Sequence, residues 1–326
     1  MEEEVVEKDV AAAVDADNFV GPNEVVARAS DGTRFYLYNH QAGGHTAFLR
    51  SGEGSVCKPV VALELEFYEA LAPRFPQLRP FVPQFLGKIK VELTTTTSNE
   101  PPTSSHSSST PPIEALTTPK KMRRGSFGKK RRLGKYNPSS SIAPPISEGG
   151  YSAQLWKQER AEKNKTKTNG VTLTRADSAK DYLVLGDLTR NFRRPCVLDI
   201  KMGTRQHGED ASPAKVISHT AKCAATTSLA LGLRLCGMQI YDERDGTYTM
   251  WDKTWGRQLK PDDIEPALET YLTSGSTIRW NALEALLTKI RQLKSVMANT
   301  TGLRCWGSSL LVIYEGDQSY GPPSAD

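Results

Sequence analysis

Apolar and polar positions alternate in short runs over the first ninety residues. Thr33-Arg34-Phe35-Tyr36-Leu37-Tyr38, Phe48-Leu49-Arg50 and Val56-Cys57-Lys58-Pro59 have strand-forming composition. They are separated by Gln41-Ala42-Gly43-Gly44-His45 and Ser51-Gly52-Glu53-Gly54-Ser55, which read as turns. The pattern predicts an antiparallel meander with a Gly-Gly loop at one end. Pro59 is suited to open a helix over 60–72, closed by Pro73, with Val60, Leu63, Phe67, Tyr68 and Leu71 as its apolar stripe. On that helix Glu64 comes within reach of Lys58 if the helix packs behind the third strand. Phe81 to Gly87, then Ile89 and Val91, read as a further strand and its lead-in.

The periodicity resumes in the second half of the chain. Asp181 to Leu188 reads as a buried strand. In Pro195-Cys196-Val197-Leu198-Asp199-Ile200-Lys201-Met202-Gly203 the period is two: Leu198 and Ile200 can face a core while Asp199 and Lys201 project together from the other face. A helix follows, with Asp210 or Ser212 as its cap and Pro213 in its first turn. On it Lys215, His219 and Lys222 share one face. Leu233 to Tyr241 and Thr247 to Trp251 form a hairpin across Asp245-Gly246. Pro261 starts a helix to about Tyr271. A longer helix runs from Ile278 to about Ala298, with Leu283, Leu286, Leu287, Ile290, Leu293 and Met297 expected in the core.

Composition separates these blocks. Residues 94–150 are Ser, Thr, Pro and Lys/Arg with few large apolar side chains, which cannot bury a core and are expected to be disordered. Residues 1–18 form an acidic tail, also expected to be mobile, and the first thirty residues hold eight acids against Lys8 and Arg28. Residues 120–135 hold nine Lys or Arg and no acid. That run has three readings, which stay open: a nuclear localisation signal, a contact for nucleic acid or anionic membrane, or a solvated charge run. Nucleic acid is not expected as the main ligand, because no aromatic residues interleave with the charges. Arg123-Arg124-Gly125-Ser126 suits a basic-directed protein kinase acting at Ser126. The five cysteines include no C-x-x-C pair, which points to reduced thiols rather than a disulfide framework or a structural zinc site. The acidic start has no signal-peptide character, and no apolar run approaches the roughly 20 residues of a membrane helix. A monomer in the cytoplasm, the nucleus or both is expected.

The chemistry concentrates after residue 195. A strand-borne Asp199/Lys201 pair is followed by Thr204, Arg205, Gln206 and His207 and by a basic helix face. Together they suit a small, strongly negative ligand, although Asp199 and Lys201 alone would read as an exposed ion pair. The spacing Pro195, Asp199, Lys201, Gly203 resembles the P-x-x-x-D-x-K-x-G motif of the inositol polyphosphate kinases. The run Gly203-Thr204-Arg205-Gln206-His207-Gly208, then Lys222-Cys223 and Leu231 to Tyr241, resembles their inositol hexakisphosphate kinase branch. Lys58-Pro59 with Glu64 and Phe67-Tyr68-Glu69, the Trp255-Gly256-Arg257-Gln258-Leu259 segment, and Ser308-Ser309-Leu310-Leu311 match further family segments. The resemblance covers about residues 33–93 and 150–316.

What the resemblance implies is a two-lobed α+β fold, with a small antiparallel-sheet lobe, a larger mixed lobe and ATP between them. It divides the chain into an acidic tail (1–18), an N-lobe (19–93), an insert (94–150), the end of the N-lobe with the hinge (151–186) and a C-lobe (187–326). It implies ATP-dependent phosphorylation of inositol polyphosphates, inositol hexakisphosphate foremost, with Mg2+. Lys58, paired with Glu64, and the Gly43-Gly44 loop would hold the ATP phosphates, and the Gly186 carbonyl and Leu188 N–H the adenine. Asp199 would contact the ribose or the reacting region, and Lys201 would bridge the transferred group and the acceptor. Arg205, His207, Lys215 and Lys222, with Lys201, would bind the inositol phosphate. Ser309 would lie beside the metal. The family's Ile-Asp-Phe motif, whose Asp is the main metal ligand, is not found after Gly316, and Asp317 does not match it. An inositol-phosphate-binding paralogue or truncated product without turnover therefore stays open, and within enzymes the runner-up is a multikinase or trisphosphate 3-kinase, against which the Gly203-Thr204-Arg205-Gln206-His207-Gly208 run argues.

Overall fold

The computed structural model describes residues 25–52, 54–93, 151, 154–155, 158, 179–274 and 277–320. The expectations for the 1–18 tail, the 94–150 insert and Ser126 lie outside the described residues. Six strands close an antiparallel barrel: β1 (Ala27–Ala29), β2 (Arg34–Leu37), β3 (Leu49–Ser51), β4 (Ser55–Pro59), β5 (Phe85–Leu93) and β6 (Ala179–Gly186). Their order is β1-β2-β3-β4-β6-β5, and β5 pairs back onto β1 with Ala27 opposite Leu93. The meander read from the sequence is thus half of a closed sheet, which leaves no open edge. Phe35, Leu49, Cys57, Val91 and Tyr182 fill it from the strands, joined by Tyr151 and Leu155. β6 is buried on both faces: Tyr182 turns into this cluster, while Leu183 and Leu185 turn out against helix α1 (Ala62–Arg74). That two-sided burial is why its sequence is a continuous apolar run.

Helix α1 differs from the sequence reading. Pro59 ends β4 and the helix starts at Ala62, while Pro73 lies inside the last turn. Leu63 is 56% exposed. The buried side carries Tyr68 and Leu71, followed by Phe75, in line with Glu64, so the helix is rotated to turn Glu64 toward Lys58 and Leu63 away. A 3-10 turn over Pro76–Phe81 leads into β5.

The second half builds a four-stranded antiparallel sheet flanked by helices. In chain order its elements are β7 (Pro195–Met202), α2 (Pro213–Ala224), α3 (Thr227–Leu231), β8 (Leu233–Asp242), β9 (Thr247–Trp251) and α4 (Lys253–Gln258). After them come α5 (Ile264–Tyr271), the ribbon β10 (Thr273–Ser274) and β11 (Thr277–Ile278), α6 (Trp280–Ala298) and β12 (Ser309–Glu315). The sheet order is β12-β7-β8-β9. Of the two candidate caps, Ser212 serves α2: its hydroxyl accepts from Lys215 N at 3.4 Å, with Pro213 in the first turn. Tyr271 ties α5 to the sheet by donating to the carbonyls of Cys196 (3.0 Å) and Val312 (2.8 Å). No helix among the described residues is long and apolar enough to cross a membrane.

Two expectations fail here for packing reasons. Val197 and Leu198 are both buried, so β7 is covered on both faces at its start, and only from Asp199 onward does one face open. None of the six residues expected to put α6 in the core is buried: Leu287, Ile290 and Met297 are about 40% exposed. The helix docks through Leu293 and Val296 onto the cluster beneath α1, and Ile278 belongs to β11 rather than to the helix.

The barrel and the sheet meet along backbone. Opposite Asp199 and Ile200 of β7, strand β8 presents Gly237 and Leu235, so Cys236 is an extra residue, a β-bulge. The Ala42 carbonyl lies so close to Gly237 that a β-carbon there would sit 1.9 Å from its oxygen. Because both groups in conflict are backbone, neither can turn aside. Gly237→Ala is expected to destabilise the protein by about 1–3 kcal/mol, the usual range for overpacking, read as a lowered denaturation midpoint in urea.

Candidate active site

Residues 38–45 cross from the barrel onto the second sheet, and almost every residue in the segment is held. The Tyr38 hydroxyl donates to Asp187 Oδ1 at 3.2 Å and lies 3.0 Å from the Thr189 hydroxyl. His40 Nδ1 accepts from the Gln239 amide at 2.9 Å. Burial, with Arg50 and Arg194 nearby, pushes the His40 pKa down to about 4, which keeps that nitrogen unprotonated as an acceptor. The buried Gln41 braces the turn from inside: its amide donates to the carbonyls of Gly43 (2.7 Å) and Thr46 (2.9 Å), and its Oε1 accepts from Phe48 N at 2.9 Å. Tyr151 donates to the Gly44 carbonyl at 3.2 Å.

At the centre of this segment Gly43 lies against the Asp199 carboxylate. A β-carbon at residue 43 would sit 2.1 Å from Asp199 Oδ2. The glycine loop therefore roofs the one acidic side chain of the β7 pair. Asp199 Oδ1 is shut off from solvent and has no hydrogen-bond partner. Desolvation raises the Asp199 pKa against the opposing pull of the Ser309 hydroxyl, Lys201, Arg234 and Lys58. Lys201 Nζ is 3.5 Å from Ser309 Oγ, and these two residues are direct cross-strand partners of β7 and β12. Lys58 reaches the same place from β4. Its Nζ is 2.8 Å from Glu64 Oε1, the pairing expected from the order of strand and helix, and lies over the Phe48 ring.

The chain connecting the two halves runs past this point. Gly186 N donates to the Gln84 carbonyl and Asp187 N to the Gly54 carbonyl, each at 2.9 Å. Asp187 Oδ1 accepts from both the amide (2.8 Å) and hydroxyl (2.7 Å) of Thr189, which fixes the bend. The strand ends at Gly186, so Leu188, expected within it, lies beyond it with its side chain 43% exposed.

On the other side of Asp199 the charges are almost all positive. The loop after β7 and helix α2 enclose a hollow of about 240 Å3 lined in part by Thr204, Arg205, His207 and His219. Arg205 is exposed, stacks 4.8 Å over the Trp306 ring and donates from Nε to the His207 carbonyl at 3.1 Å. Lys215, His207 and Lys222 all act on His219, whose pKa is lowered first by desolvation and then by these charges. Lys222 is in turn depressed by desolvation, by Arg257 and by Arg234. The buried Arg234 is spent on structure, bonding Ser228 Oγ at 2.9 Å and Gln206 Oε1 at 2.8 Å.

The structure thus brings Gly43, Lys58, Glu64, Asp199, Lys201 and Ser309 together, with Lys222 linking them to the Lys215, His207 and His219 group. Sequence reasoning missed four residues of this region. Gln41 carries no signal beyond its place before Gly-Gly. His45 follows that pair directly. Lys253 and Arg257 lie one turn apart on α4, an i,i+4 spacing that would have paired them had the six-residue segment been read as a helix. Its Asp252 cap, accepting from Thr254 N and Trp255 N, was the available sign.

Among the described residues no three His, Cys, Asp or Glu side chains converge as a metal cluster. Asp199 with its unpartnered oxygen and the adjacent Ser309 hydroxyl nevertheless suit Mg2+, which takes one or two protein oxygens and completes its shell with phosphates and water.

Lysine–glutamate and aspartate–lysine pairs, a glycine roof and a field of cations have the chemistry that phosphoryl transfer calls for. The family model described as inositol polyphosphate kinase matches residues 182–325. Inositol hexakisphosphate kinase 1 of Mus musculus is 31% identical, over 90% of this chain and 76% of its own length. Inositol hexakisphosphate kinase 3 of Homo sapiens is 32% identical, over 88% of this chain and 78% of its own. Among solved structures, an inositol phosphate multikinase from S. cerevisiae in complex with ADP and Mn2+ superposes with a TM-score of 0.46 at 23% identity, over 81% of this chain and 76% of that one. The chain belongs to the inositol polyphosphate kinase family, in its inositol hexakisphosphate kinase branch.

The raised Asp199 pKa has a definite sign. The folded protein holds this proton at a pH where the unfolded chain has released it, so folding loses stability as pH rises from the ordinary carboxylate value through the raised one. Asp199→Asn is expected to remove that loss. Thermal unfolding midpoints measured against pH should fall more steeply through this window for the native protein than for the variant.

Proposed function

We propose that the protein transfers the γ-phosphoryl group of ATP to an inositol polyphosphate, with inositol hexakisphosphate as acceptor and a diphosphoinositol as product. The reading is carried by the cations gathered beside Asp199. Among the described residues none of Lys201, Lys222, Lys253 and Arg257 has an acidic side chain within 4 Å. Each phosphate of such an acceptor carries roughly −1.5 to −2 charge, and bringing it to ATP requires positive charge on both sides of the reacting atoms. Lys58, held by Glu64, meets the ATP phosphates under the Gly43-Gly44 loop, and the 186–188 backbone meets the adenine. Lys201 stands between donor and acceptor. Arg205, His207, Lys215 and Lys222 hold the remaining phosphates. Mg2+, held by Asp199 and Ser309, would supply charge neutralisation of the ATP phosphates.

The acceptor oxygen of a phosphate is already ionised, so no residue has to act as general base. One P–O bond forms to that oxygen as the bond to ADP breaks, and the chain's work is positioning and charge stabilisation. Asp199 orients and does not take a proton.

The test is incubation with ATP, Mg2+ and inositol hexakisphosphate, with products separated by charge. The expected result is a product with one more phosphate. Conversion of less phosphorylated inositols alone would reassign the acceptor to the multikinase class, and binding without transfer would reduce the protein to a receptor. Lys201→Ala is expected to lower turnover by at least about 100-fold, as loss of a group that stabilises the transition state does, with an unchanged thermal midpoint. Near-native turnover in that variant would remove Lys201 from the mechanism.

A further inference from the structure

The loop that roofs Asp199 also reaches the cations. Two residues beyond Gly43, His45 Nδ1 lies 3.1 Å from the Lys253 ammonium. A lysine ammonium only donates, so Nδ1 is the acceptor and the neutral ring carries its proton on Nε2, a donor left to point elsewhere. The ring is exposed and stands in the field of four cations from three elements: Lys253 and Arg257 of α4, Lys222 of α2 and Lys201 of β7. Its pKa is lowered first by desolvation and then by those charges. The acids nearby are committed: Asp252 caps α4, and Asp199 lies beneath the loop. A histidine placed against a lysine, with an arginine one helical turn further on and, among the described residues, no carboxylate pairing with any of them, stores positive potential that a multiply charged anion relieves.

Resting on the kinase reading above, we propose that His45, Lys253 and Arg257 form a further subsite for one phosphate group of the inositol polyphosphate. The acceptor is thereby gripped from the barrel side as well as from the sheet. His45 and Gly43 share one short loop braced by Gln41. An acceptor phosphate at His45 therefore fixes the loop that roofs Asp199, and occupancy of the acceptor site is felt at the ATP site.

The test is calorimetric titration of the full chain with inositol hexakisphosphate and, separately, with ADP, for the native protein and for His45→Ala, Lys253→Ala, Arg257→Ala and Lys253→Arg. Loss of one charged hydrogen bond to phosphate is expected to weaken inositol hexakisphosphate about tenfold or more in each alanine variant. ADP binding alone and the thermal midpoint should stay unchanged, and Lys253→Arg should recover most of the affinity. The native protein should bind ADP with a different affinity once inositol hexakisphosphate is present, and His45→Ala should abolish that difference. Native-like binding of inositol hexakisphosphate in all three alanine variants would overturn the subsite and leave the kinase reading standing. A native protein that binds ADP but no inositol phosphate would overturn both.

Discussion

The structure depends on one close approach: a polypeptide without side chains laid against a buried carboxylate. Gly43 covers Asp199, and one residue earlier the Ala42 carbonyl rests on Gly237. At both points any side chain would push the two halves of the protein apart. The β-bulge at Cys236 produces the second contact, because it shifts the register of β8 just where Asp199 emerges from β7. The cost of this arrangement falls on Asp199, whose charge is held away from water with one oxygen unpartnered. An acid in that condition gains most from any cation or donor that arrives.

Around that contact the charges are sorted by element. Acidic side chains are used for geometry: Glu64 aims Lys58, Asp187 fixes the bend after β6, Asp252 caps α4, and Glu315 gathers the amides of Arg193, Arg194 and Asp317. Among the described residues the basic side chains on one side of Asp199 are left without such partners, and the buried Arg234 is held by Ser228 and Gln206 rather than by an acid. Their mutual repulsion is a standing strain on the fold, kept modest by partial exposure to solvent. A binding site of this kind is assembled by withholding carboxylates as much as by supplying lysines.

Much of this was legible in the chain. The alternation in 197–201 gave the strand and the shared face of Asp199 and Lys201, and the strand-then-helix order gave the Lys58–Glu64 pair. The failures have physical causes. Leu63 and the α6 leucines follow a helical period, yet period alone does not say which neighbour a face will meet. Leu63 lost its place because the helix seats Tyr68, Leu71 and Phe75 against Leu183 and Leu185, and α6 because only its second half finds a surface. The closed barrel and the bulge are pairings between distant segments, which no local pattern encodes. His45 and Lys253 are more than two hundred residues apart, and only the fold makes them neighbours.

The route of the chain through the barrel has an evolutionary consequence. β5 and β6 are adjacent antiparallel strands, so by topology everything between Leu93 and Ala179 is the connection of a single hairpin. Tyr151 and Leu155 pin the far part of that connection inside the barrel, and Tyr151 touches the loop that roofs Asp199. What the barrel itself asks of this connection is the pairing of β5 with β6 and the place of Tyr151, so selection can rewrite the stretch between Leu93 and Tyr151 wherever both are kept. New recognition sequences can accumulate in that stretch at a rate set by their own usefulness rather than by the demands of the fold.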